Sequence, residues 1–168
     1  MMVILQKKFH RLETAMNEST IGSTFEISLR ILLMLNCLSP KQLDEQQIGM
    51  IDFIAVYAAD FGLLDENLHG YSNYRFSEFP ARKQPIQAAL RDLILDEYVH
   101  LTSTSKGYEY SITAAGKNVS KQLHSSYSEE YCLAVKTVVS AFNHADTAAM
   151  LNAINNLTVK SLKEVTHE

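Results

Sequence analysis

Apolar residues recur at helical spacing along most of the chain. The clearest stretch is STFEISLRILLMLNCL, where Phe25, Leu29, Leu32 and Leu33 form a stripe that Ile31 and Leu35 widen. Ser23 and Glu26 form an S-x-x-E capping box at its start, which would satisfy two backbone donors at the helix N-terminus. A helix apolar on nearly every side predicts a central position. Ser39-Pro40 ends it, because proline disfavours helical backbone in the residue before it. A second helix is predicted from Leu43 to Ala59, with Ile48, Ile51, Ile54, Ala55 and Ala58 on its apolar side. Asp60-Phe61-Gly62 closes it, glycine being suited to a left-handed cap.

The pattern then breaks. Residues 63–84 hold Gly70 and Pro80, which prevent one regular element, together with Tyr71, Tyr74, Phe76 and Phe79. Long connections are functional or disordered, and this aromatic content argues against disorder. Helical spacing resumes at PIQAALRDLILDE through Ile86, Leu90, Leu93 and Ile94, with Pro85 tolerated in the first turn. The next segment predicts a hairpin: a strand at Tyr98–Leu101, a turn closed by Lys106-Gly107, and a strand at Tyr108–Ile112 with Tyr108, Tyr110 and Ile112 on one face. Thr113 caps a helix with an early glycine. Ser126 and Glu129 suggest a capping box for a helix reaching Phe142, and the polar break NHAD precedes a last helix over 147–157.

Three helices, a hairpin and a further helix give a mainly α fold class: a winged helix-turn-helix core with a small β-hairpin wing and additional C-terminal helices. The expected division is an N-terminal arm over 1–22, a winged-helix domain over 23–124 and a C-terminal helical extension over 125–168. At 168 residues, 46% hydrophobic and 20% charged, the chain can bury its own core. The arm carries Lys7, Lys8, His10 and Arg11, and its short apolar run precedes these charges, unlike a secretory signal. No run approaches the ~20 apolar residues of a membrane span, so a cytoplasmic protein is expected. Cys37 and Cys132 form no CxxC pair and fit reduced core or semi-core thiols.

Charge narrows the function. The formal net charge is -4, whereas a protein whose task is gripping phosphates is normally basic. Between Gln84 and Ile112, Arg91 and Lys106 face Asp92, Asp96, Glu97 and Glu109. A third helix and wing with this acidic balance are poorly suited to reading DNA. Enzyme signatures are missing: there is no Walker loop, HExxH, GxSxG or glycine-rich fingerprint. The six histidines lack metal-ligand spacing, so no catalytic residue, metal or cofactor is expected. An interaction module remains. Its candidate partner-binding residues are Tyr71, Tyr74, Arg75, Phe76, Glu78, Phe79, Arg82 and Lys83, because tyrosine, phenylalanine and arginine are enriched at interface centres. The helix over 127–142 is a second candidate. A free-standing winged-helix transcriptional regulator is the alternative.

Several motifs carry a resemblance. Glu26, Leu29, Arg30 and Leu32 form an E-x-x-L-R-x-L helix; Asp52, Asp60 and Phe61 follow; then Tyr74, Arg75, Glu78 and Arg82 lead into the third helix. In this order, over about residues 23–142, the chain resembles the middle component of bacterial ABC-three-component systems, as in Lamassu-type defence against phages and plasmids. The resemblance implies a non-enzymatic winged-helix subunit joining an SMC- or Rad50-like ATPase to an effector, often a nuclease, with DNA sensed mainly by the ATPase. Pro85, close behind Arg82-Lys83, departs from the family pattern and leaves the start of the third helix open.

Overall fold

Ser23 begins the described part of the molecule: the computed structural model describes residues 23–166. The basic arm over 1–22 lies outside these residues. Ser23 adopts extended backbone and its side chain accepts from the Glu26 N–H at 3.2 Å, starting α1 (Thr24–Cys37). Ile27 and Ile31 through Leu35 are buried, giving the helix its central place. Asp44 and Gln47 form a reciprocal capping box that starts α2 (Glu45–Val56). Leu43, expected in that helix, is held in extended backbone instead: it exchanges both main-chain hydrogen bonds with Tyr110, at 3.1 and 2.8 Å. From Ile48 to Val56 every residue except Gly49 is buried.

The segment expected to be irregular contains a short 3-10 turn at Arg75–Ser77 and a single helical turn, α3 (Glu78–Ala81). Lys83 starts α4 (Lys83–Leu95), so Pro85 is its third residue, where its missing N–H costs no helical bond. Strands β1 (Val99–Thr104) and β2 (Gly107–Ile112) pair antiparallel, with Val99 opposite Ile112 and Thr104 opposite Gly107. The hairpin is longer than expected because Thr102 and Thr104 suit a pleated strand as well as a turn. Thr113 caps α5 (Ala114–Ser120) by accepting from Gly116 N–H at 3.0 Å.

The next helix, α6 (Ser126–Ala141), starts one residue earlier than the Ser126–Glu129 box would have it. Ser125 is the cap, and Ser128 supplies the returning side chain. Asn143, His144 and Ala145 follow in left-handed backbone, at φ 49°, 64° and 71°, a costly run for residues with a Cβ. Lys41 Nζ donates to His144 O at 2.7 Å and Gln47 donates to Ala145 O at 3.0 Å, tying this corner to the start of α2. It aims α7 (Thr147–Val165), which runs past the expected end at Leu157 because no glycine or proline interrupts it. Tyr131, Ala134, Val135 and Val138 of α6 and Met150 and Ile154 of α7 share one core with α1 and α2. Among the described residues no helix is long and apolar enough to cross a membrane.

Candidate functional site

Arg30 and Asp52 stand in the middle of two apolar helices, where an unpaired charge would be prohibitively costly. They solve this together. Arg30 donates to both Asp52 carboxylate oxygens, at 2.8 and 3.1 Å, and to Glu26 at 2.6 Å. Arg82, from the junction of α3 and α4, donates to the same carboxylate at 2.7 Å and to Glu78 at 3.2 Å. The Tyr131 hydroxyl donates to Asp52 at 2.7 Å, and the Tyr57 hydroxyl donates to Glu78 at 2.7 Å. Burial alone would push the Asp52 carboxyl up, but Arg30, with Arg82 and Tyr131, holds it down at about 2. Burial and the Glu78 hydrogen bond push Tyr57 up to about 12. Burial, then the charge of Arg30, lowers His69, which shares a 2.9 Å hydrogen bond with Tyr127.

A second ion pair stands beside this network. Arg75 grips both oxygens of Asp60, at 2.5 and 3.1 Å, and donates to Ser72 O at 2.7 Å. Its guanidinium lies 4.3 Å from the centre of the Tyr71 ring and 4.5 Å from that of Phe76. Phe53 in α2 gathers Tyr57, Phe61, Phe76 and Phe79 around it, at centroid distances of 5.3 to 6.4 Å. The loop over 71–82 is therefore fixed to α2 by Arg82 and an aromatic cluster, and to the turn after α2 by Arg75.

The eight residues singled out in the sequence divide into two groups. Arg75, Phe76 and Arg82 are buried, and Glu78 and Phe79 are half-buried. Tyr71 and Tyr74 are 74% and 79% exposed, and Lys83 is exposed as well. Arg82 and Glu78, both singled out as partner-binding, pair with each other within the chain. The seven charged residues of the three sequence motifs, namely Glu26, Arg30, Asp52, Asp60, Arg75, Glu78 and Arg82, all enter these ion pairs. A cleft of about 360 Å³ opens over the network, lined by Tyr57, His69, Ser72, Glu78, Ala81 and Pro85 among others. Tyr57 and Tyr131 gave no signal in the sequence, since a tyrosine at a core position reads as packing. On the second candidate, α6, Leu133 is 58% exposed.

The arrangement can fix a shape and present its rim to another molecule. Each arginine is paired with a carboxylate, and the exposed groups at the rim include the Tyr71 and Tyr74 rings with their hydroxyls and the Lys83 ammonium, suited to macromolecular contact. No curated protein and no solved structure matches the chain. The family described as ABC-three component (ABC-3C) system Middle Component 2 does match, over residues 20–164, a span that includes every ion pair above. Matched over most of its length, the chain belongs to that family of ABC-three-component system subunits.

Proposed function

We propose that the chain is a non-enzymatic adaptor that links an SMC- or Rad50-like ATPase to an effector, a nuclease foremost, within a cytoplasmic bacterial defence complex of the Lamassu kind. One observation carries this reading: Tyr71 and Tyr74 project into solvent from a loop that Arg75 and Arg82 anchor to the core. Large exposed aromatics on a rigid base lose little entropy on docking and gain much buried area. We also read the fold as a winged helix. The order α1, α2, α4, hairpin supports this, and so does the Leu43–Tyr110 bridge, which adds a third strand position beside β2.

The surface of α4 and the hairpin supports protein contact over DNA reading. Exposed on α4, the hairpin and the turn between them are Lys83, Arg91 and Lys106 against Asp92, Asp96 and Glu97, so this surface lacks the basic excess that gripping phosphates requires. DNA would reach the complex mainly through the ATPase. The direct test is co-expression of the tagged chain with the products of its neighbouring genes. Co-elution of an ATPase, identified by mass spectrometry, is expected; elution of the chain alone would overturn the reading. The regulator alternative requires that the purified chain shift a specific DNA duplex at moderate salt, with affinity falling steeply as salt rises.

A further inference from the structure

Cys37 and Cys132 are 95 residues apart in sequence, yet the fold brings both sulfurs over the last turn of α1. Cys37 Sγ lies 3.5 Å from Met34 O and Cys132 Sγ lies 3.9 Å from Leu33 O, consecutive carbonyls of that turn. Both cysteines are free and only half-buried, and the two thiols lie close enough to shift each other's ionisation. We infer that Cys37 and Cys132 form a peroxide-oxidisable dithiol, a modification site that closes into an intramolecular disulfide between α1 and α6.

The chemistry is set by the asymmetry of the pair. The neighbouring Cys37 thiol holds Cys132 down at about 7 against the opposing effect of burial, and Lys136 one turn further along α6 adds to this. Cys132, with burial, in turn pushes Cys37 well up. Cys132 is thus the thiolate and nucleophile near neutral pH. Its sulfur attacks hydrogen peroxide: an S–O bond forms, the O–O bond breaks, and hydroxide leaves, giving a sulfenic acid. The Cys37 sulfur then attacks that sulfur. An S–S bond forms, the S–O bond breaks, and the departing hydroxyl takes the Cys37 proton as water. The two sulfurs together lose two electrons to the peroxide. Cys132 directly follows Tyr131, whose hydroxyl holds Asp52, so the bridge would tie α1 to α6 beside the ion-pair network.

The test uses the full chain treated with hydrogen peroxide, followed by thiol counting, non-reducing peptide mapping and intact mass. The expected product is a monomer lighter by two hydrogens, with a Cys37–Cys132 linked peptide that dithiothreitol removes. In Cys37→Ser, whose resolving thiol is gone, a dimedone adduct should collect on Cys132. Wild-type chain that keeps both thiols, that oxidises each cysteine separately, or that forms only disulfides between molecules would overturn the inference. The wild-type mapping alone decides it if the serine variant fails to fold.

Discussion

Asp52 accepts from Arg30, Arg82 and Tyr131, and so carries most of the polar interior. Replacing it by asparagine leaves two guanidinium groups buried without their shared counter-charge, and should cost about 3–5 kcal/mol in urea denaturation. The same residue gives stability a pH dependence of known sign. Its folded carboxyl is held at about 2 against an ordinary 3.8, so on acidification the unfolded chain takes up the proton first. The stability it contributes is complete above the unfolded value and is lost as pH falls from about 5 to about 2. The urea midpoint should decline across that window, and Asp52→Asn should remove this part of the decline. Gly116 is a different kind of residue-level constraint. A Cβ there would sit 2.2 Å from Tyr98 O and 2.8 Å from Ile112 Cγ1, so Gly116→Ala must push the hairpin away from α5. A loss of about 1–3 kcal/mol, seen as a lowered Tm, is expected.

Among the elements, local chemistry explains what was legible in the sequence. Ser23 and Thr113 cap their helices and the Ser39-Pro40 stop ends α1, each acting within one turn. Of the expected Ser23–Glu26 box only the Ser23 half forms among the described residues, since the Glu26 carboxylate pairs with Arg30. The start of α6 shows the limit of such reading. Ser125 and Ser126 are equally good caps by residue type, and the reciprocal partner is Ser128 rather than a glutamate. Ser125→Ala should therefore cost about 1 kcal/mol, while Ser126→Ala should stay within about 0.5 kcal/mol by thermal denaturation. The ion-pair network was not legible, because the partners of Asp52 lie 22, 30 and 79 residues away. A hint existed: an aspartate inside IGMIDFIAV and an arginine inside SLRILL must each be paired if those helices are buried. Residue type also could not divide the aromatic loop. Phe76 and Phe79 turn toward Phe53, while Tyr71 and Tyr74 turn outward, and only the packing of Arg75 between Tyr71 and Phe76 separates the two sets.

At the scale of the whole molecule, the charged residues of the family motifs build the scaffold, and Tyr71 and Tyr74 of the same loop form its exposed rim. Stability and partner binding should therefore respond to different substitutions. Tyr71→Ala with Tyr74→Ala removes two exposed rings and leaves Arg75 paired with Asp60, so denaturation should shift by no more than about 1 kcal/mol. The central claim is that this rim holds a partner subunit, and one measurement addresses it most directly. The tagged wild-type chain and the double tyrosine variant are each co-expressed with the neighbouring gene products, and the recovered ATPase is quantified by mass spectrometry. The account predicts recovery with the wild type and at least a tenfold loss (about 1.4 kcal/mol) with the equally folded variant. Equal recovery by both chains, or none by either, would contradict it.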